Sequence, residues 1–265
     1  MAIGRIKGEV RTPVAASAEG MLNLIHEFQL IPFFPNLVPG FSVEEHTPPE
    51  LWFTEESLEP WDWKIDCIQD GDIAYGKFLC GGKAAFATVD VYRELMNWRR
   101  SLPKYRPTAD QQKVLDYMEE RRSISVPEVR KLMGITKSAA DALLAKIQMQ
   151  TRIITGVITR IYRGADLQYS GWQRSTFCSP EALFEGIELP IPGYVPRTLK
   201  SSLTPEQSLE FLKETIRKVC SDIPEFQFIG RNKLRHSLSF IDISWRMRKL
   251  RSINRNLPAC ADCSY

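Results

Sequence analysis

Between Lys137 and Arg174 the chain carries a run of side chains suited to touching a nucleic acid: Lys137, Ser138, Lys146, Gln148 and Gln150, then Arg152, Arg160, Arg163 and Arg174. Lysine and arginine neutralise phosphates, serine hydroxyls bond phosphate oxygens, and glutamine can read a base edge. The signatures of other chemistries are missing. The chain has no Gly-x-Ser-x-Gly, no phosphate-binding Gly-x-x-x-x-Gly-Lys, no His-Glu-x-x-His and no Gly-x-Gly-x-x-Gly. Its three histidines, His26, His46 and His236, stand far apart. Of six cysteines only Cys260 and Cys263 have a metal-like spacing. A zinc site needs a second ligand pair, which is lacking, so two free thiols in a tail are the simpler reading. No metal and no cofactor are expected.

Those polar residues must be positioned by regular elements. Ala109–Met118 places Val114, Leu115, Tyr117 and Met118 on one helical face. Ser125-Val126-Pro127-Glu128 is a capping box with proline just inside the helix start, and Gly134 reads as its glycine stop. A third helix is expected from about Ser138 to Gln150, with the alanines Ala139, Ala140, Ala142 and Ala145 permitting close approach. The β-branched run Ile153–Ile161 and the stretch Trp172–Cys178, separated by a turn between Gly164 and Gly171, form a hairpin. Helix, helix, helix, hairpin is the order of a winged helix-turn-helix, whose third helix enters the major groove while the wing lies by the backbone. Asp141 on that third helix is unfavourable for the approach to DNA, and a protein-binding module with a solvated face is the other reading.

Ahead of this module, Met21, Leu22, Leu24, Ile25 and Phe28 pattern a helix that Pro32 ends. Ser42–Glu45 reads as a short extended piece. Trp61–Ile68 alternates apolar and polar residues and is expected to be a half-buried strand. Ile73–Leu79 and Ala84–Thr88 follow as further strands, and Val89–Arg100 as a helix. The aromatics Trp52, Trp61, Trp63, Tyr75, Phe78, Phe86 and Trp98 are either core or a stacking platform for an extruded base. Thr204-Pro205-Glu206-Gln207 opens a last helix with the stripe Leu209, Leu212, Ile216, Val219 and Cys220. The expected fold class is α+β, in three parts: an N-terminal α+β domain (1–108), the central winged helix (109–188), and a Pro-rich linker with a basic helical region (189–265).

Charge is distributed unevenly. Residues 1–108 hold 11 Lys/Arg against 15 Asp/Glu, residues 109–198 hold 12 against 10, and residues 199–265 hold 12 against 7. A polyanion would be drawn to the second half. There Arg231, Lys233, Arg235, Arg246, Arg248, Lys249, Arg251 and Arg255 form a second candidate footprint on phosphates, or simply a solvated tail. No apolar run approaches the roughly 18 residues of a membrane span. The start lacks the apolar stretch of a signal peptide. A cytoplasmic protein with reduced thiols and no membrane partner is expected.

Several pieces of the sequence resemble a known family: Leu30-Ile31-Pro32-Phe33-Phe34, Pro39-Gly40-Phe41-Ser42-Val43-Glu44-Glu45, Pro60-Trp61-Asp62-Trp63-Lys64, Ala74-Tyr75-Gly76-Lys77-Phe78, Lys83-Ala84-Ala85-Phe86, Asn97-Trp98-Arg99-Arg100, Ile147-Gln148-Met149-Gln150, Gly171-Trp172 and Ser179-Pro180-Glu181. Together they resemble the AlkZ-related branch of the AlkZ-type DNA glycosylases. The resemblance implies tandem winged-helix motifs, a DNA-facing concave surface, and metal-free excision of alkylated bases, including those in interstrand crosslinks. The family's chemistry rests on an early Gln-apolar-Gln or Gln-apolar-Asp motif that activates a water. In this chain Ile31 stands at the second place if Gln29 takes the first, and Phe34 if Pro32 does; either way the second group is apolar and cannot accept a proton. Gln148-Met149-Gln150 spells the motif but falls at the end of the third helix. The reading is therefore a binder of double-stranded DNA whose chemistry is lost or altered. The alternatives are a glycosylase using Glu44, Glu45 or Glu50 beside Gln29, or a protein-interaction module.

Overall fold

Among the described residues there are two sheets, both three-stranded and antiparallel, and they share one strand order, β1-β3-β2 and β4-β6-β5. The computed structural model describes residues 14–36, 40–52, 58–69, 73–79, 82–163, 168–185 and 198–219. All of these fall in one compact unit, Met1–Arg231. The fold is α+β. No helix among the described residues is long and apolar enough to cross a membrane.

The first group of elements is α1 (Ala18–Phe28), β1 (Leu30–Pro32), α2 (Pro60–Gln69), β2 (Ile73–Leu79), β3 (Lys83–Thr88) and α3 (Val89–Ser101). Helix α1 is capped by Ser17, whose hydroxyl accepts from Gly20 N–H, and buries Met21, Leu24, Ile25 and Phe28. The chain does not simply turn away at Pro32. Leu30, Ile31 and Pro32 pair with Ala87, Phe86 and Ala85, and proline is tolerated because β1 is an edge strand. Ser42–Glu45, expected to be extended, leads instead into a 3-10 turn at Glu44–His46. The Ser42 hydroxyl donates to Glu45 at 2.6 Å, and this local bond closes the turn.

The larger correction is α2. Trp61–Ile68 is helical, with Pro60 at its first position and the N–H groups of Asp62 and Trp63 on the Glu59 carbonyl. Alternation misled because the helix is covered on more than one side. Trp63 and Cys67 join the main core, while Ile65 and Ile68 pack on Ile158 of a distant hairpin. A strand's period of two describes a segment with one wet face, which this segment lacks.

The second group is α4 (Ala109–Arg121), β4 (Ile124–Ser125), α5 (Val126–Met133), α6 (Lys137–Met149), β5 (Ile154–Arg163) and β6 (Gln168–Cys178). Thr108 and Gln111 form a reciprocal capping box for α4. Glu128 accepts from the backbone N–H of Ser125 at 2.7 Å and from its hydroxyl, and Gly134 ends α5 at φ 64°. Val114, Met118, Ile124, Val129, Ala140, Leu144 and Ile147 make this group's own core. Two further helices, α7 (Pro180–Phe184) and α8 (Pro205–Val219), return to the first group. Leu212 and Ile216 of α8 are buried in the main core, as their spacing implies. Cys220 lies outside the described residues.

The Asn97-Trp98-Arg99-Arg100 run binds these parts together. Asn97 donates to Leu203 O and Ser208 Oγ, each at 2.8 Å. Trp98 stacks edge-on against Tyr105. Arg99, fully buried, donates to Phe78 O at 2.7 Å and to Met149 O at 3.1 Å. Arg100 bonds Glu181 and the Thr151 carbonyl.

Candidate functional site

The two groups of elements meet reciprocally. Helix α6, which leads into the second hairpin, packs on β2 of the first hairpin. Helix α2, which leads into the first hairpin, packs on the second: Arg160 of β5 donates to Asp62 Oδ1 at 3.3 Å, to the Asp62 carbonyl at 3.2 Å and to Asp66 Oδ1 at 3.2 Å. Gln173 of β6 donates to Trp61 O at 2.9 Å and to Asp62 Oδ1 at 3.4 Å. These bonds stabilise both partners' charges. Burial opposes the charge of Arg160, yet the carboxylates of Asp66 and Asp62 outweigh it and hold its pKa above the ordinary value.

At this junction lies a cavity of about 160 Å³ lined from both groups. Lys64 comes from α2, Tyr75, Gly76 and Lys77 from β2, Asp141, Leu144 and Gln148 from α6, and Thr155, Ser175 and Phe177 from the second hairpin. Gln148 Oε1 accepts from Lys77 N–H at 2.8 Å. That close approach requires a glycine at 76, since a Cβ there would stand 2.7 Å from the same oxygen.

Lys64 is the unusual lining group. It is only 7% exposed, and its Nζ sits 5.1 Å from the Trp61 ring centroid and 5.7 Å from that of Tyr75. The nearby carboxylate of Asp62 is occupied by Arg160 and Gln173. Desolvation pulls the Lys64 pKa from 10.5 down to about 8, against the opposing charges of Asp62 and Glu59. Burial likewise pushes the Tyr75 phenol above its ordinary value, so it stays protonated. The arrangement offers an ammonium that gives up its proton near pH 8, beside two aromatic rings, in a cavity lined also by Thr155, Ser175 and Gln148.

The sequence-derived candidates fall in several places. Lys137, Ser138 and Lys146 are exposed on α6, with Lys137 Nζ 2.8 Å from Asp141. Arg174 is exposed on β6, opposite Thr159. Arg160 is committed to α2 as described. Arg152 is half-buried, and burial with the neighbouring Arg100 charge lowers its pKa against Glu181. Arg163 is the last residue of β5. Arg246, Arg248, Lys249 and Arg251 lie outside the described residues, as do Cys260 and Cys263.

Gln29 caps α1 at φ 60°, its N–H on Ile25 O and its carbonyl on Thr88 N–H. Ile31 is wholly buried. Glu45 accepts from Gly40 N–H at 2.8 Å and from Ser42. Glu44 is half-buried and Glu50 exposed. None of Gln29, Glu44, Glu45 and Glu50 lines the cavity. Gln150 donates to Gln111 Oε1 at 2.8 Å, so Gln148 and Gln150 both serve as struts. The aromatics expected as core or stacking platform are packed: Phe33 is ringed by Phe34, Trp52, Trp61, Tyr75 and Phe86.

Sequence reasoning missed Lys64 for a definite reason. Read as a strand, Trp61 and Lys64 point to opposite faces, whereas on a helix residues three apart are neighbours. Comparison with curated proteins finds no match, and comparison with solved structures finds none either. The family model described as AlkZ related matches residues 15–229, which takes in both groups of elements, the junction between them and α8, and the chain therefore belongs to the AlkZ-related family.

Proposed function

We propose that the protein binds double-stranded DNA through tandem winged helix-turn-helix modules, in the cytoplasm, with glycosylase-type repair as its ancestry. The observation that carries this reading is the shared strand order of the two sheets, each with a short first strand on the third and a helix ahead of its hairpin. Helix, short strand, helices and hairpin in this order is the winged-helix arrangement, and membership of the AlkZ-related family supports a DNA ligand. In this reading residues 1–108 and 109–188 are the two modules, and 189–265 adds α8 and a basic tail.

The DNA-facing set in this reading is drawn from Lys137, Ser138 and Lys146, all exposed on α6, together with exposed Arg174. Arg160 supports the assembly instead of the ligand. The degenerate motif at Gln29 and Ile31 argues against the family's water-activating chemistry, because the second polar group is replaced by a buried isoleucine. Fluorescence anisotropy with a duplex tests the reading. Binding should weaken steeply with salt. K146A and R174A should each lower affinity and reduce the slope of log K against log salt by about 1. Binding that is absent, or unmoved by salt, would remove the proposal.

A further inference from the structure

We propose that Lys64 is an amine nucleophile whose ligand is an aldehyde: the ring-opened C1′ of a base-free deoxyribose in DNA. The proposal rests on the DNA-binding reading above and names the ligand of the junction cavity. Its first support is placement. Lys64 Nζ lies 5.1 Å from the Trp61 ring centroid and 5.7 Å from that of Tyr75, while the Asp62 carboxylate is engaged by Arg160 and Gln173. Burial outweighs the charges of Asp62 and Glu59 on this amine, and the free amine is the species that attacks a carbonyl.

The second support is the cavity. Its volume of about 160 Å³ is well under the roughly 300–1,000 Å³ of pockets that enclose whole small molecules. It suits a sugar whose base is gone better than an intact nucleoside. The lining includes Thr155, Ser175, Tyr75 and Gln148, residue types able to bond a sugar's oxygens. Exposed Lys77 and Lys137, the latter held by Asp141, stand beside the cavity with positive charge for the flanking phosphates.

The step balances without a further reagent. The Lys64 nitrogen lone pair forms a C–N bond to C1′, the carbonyl oxygen takes a proton, and the resulting carbinolamine expels that oxygen as water. The nitrogen gives up its two protons in the process, leaving an imine. The groups that tune it are Glu59 and Asp62 from α2, Tyr75 and Lys77 from β2, Asp141 from α6 and Arg160 from β5. With the Lys64 pKa near 8, imine formation speeds up as the pH rises toward 8.

The test is reductive trapping. The full chain is incubated with a duplex containing one abasic site and cyanoborohydride, which reduces the imine to a stable amine. The expected result is a covalent protein–DNA band whose tryptic map places the adduct on Lys64, and loss of that band in K64M but not in K113M, a change on the exposed side of α4 away from the cavity lining. Mapping in the unsubstituted protein keeps the test independent of how K64M folds. An adduct confined to other amines, or none, overturns the proposal. Anisotropy with a duplex bearing a tetrahydrofuran abasic analogue, which cannot form an imine, separates the two readings. Binding of the analogue without trapping ends the Lys64 proposal alone, whereas failure to bind any duplex ends both.

Discussion

Lys64 shows how one side chain's environment becomes a measurable property. The unfolded chain keeps the Lys64 proton up to about 10.5, and the folded protein releases it near 8. Between those values the unfolded state binds more protons, so stability rises with pH across that window. Below pH 8 the buried ammonium costs its full penalty, on the order of 3 kcal/mol at most. K64M, which fills the same space without a charge, should therefore be more stable than the parent at pH 7. The gain should shrink toward zero as the pH approaches 10.5. Urea unfolding at the two pH values checks this, and an unchanged gap between the two proteins would refute it. Arg160 is the opposite case, a charge satisfied by Asp62 and Asp66. R160A strands the buried Asp62 carboxylate and should cost about 3 kcal/mol. K137A breaks only an exposed pair and should cost less than about 0.5 kcal/mol in the same thermal or urea measurement.

Elements are joined here by contacts that tolerate little change. Helix α6 meets β2 through the Gln148 side chain and the Lys77 N–H, over a glycine that leaves the space open. G76A should displace Gln148 and cost about 1–3 kcal/mol in urea unfolding. Q148A removes the obstructing oxygen, so the G76A penalty should fall in the double variant. A double-mutant cycle reads the difference as a coupling energy, and strict additivity would contradict the packing described. The capping motifs Ser125–Glu128 and Thr204–Gln207 and the stop at Gly134 were legible in the sequence because their bonds close within a few residues. The helical state of Pro60–Gln69 was not, because it depends on being covered from both sides by α1 and by the second hairpin.

Across the whole molecule, a buried carboxylate on α3 joins Asn97 in fastening α8 and the segment before it. Glu94 accepts from Ser201 Oγ at 2.6 Å, Ser208 Oγ at 2.5 Å and Arg93 Nε at 2.9 Å. Burial raises its pKa, but the two serine hydroxyls and Arg93 outweigh it and hold the group below its ordinary value. A carboxyl depressed in the fold stabilises it above the unfolded pKa, and that contribution is lost as the pH falls through the folded one. E94A should leave the Ser201 and Ser208 hydroxyl protons without their acceptor and cost about 2 kcal/mol. The expected readout is faster tryptic cleavage at exposed Lys200, with the parent protein converging on the variant's rate as the pH falls below the ordinary carboxylate range. Equal cleavage rates at neutral pH would show that α8 is held by its apolar face alone.

What the sequence by itself determined is local: helix ends set by capping boxes, hairpins set by β-branched runs, an α+β class, and a family resemblance that the match over residues 15–229 bears out. It also showed that the early glutamine motif lacks its second polar group. Only the tertiary structure decided which charges face outward and which are spent inside. Arg160 reads as a wing arginine in the sequence, yet its partner Asp62 lies 98 residues away. Lys64 reads as one residue of an alternating strand, yet on a helix it is buried beside the rings of Trp61 and Tyr75. Desolvation and charge pairing depend on distance in space, and the linear order of residues does not carry that distance across such separations.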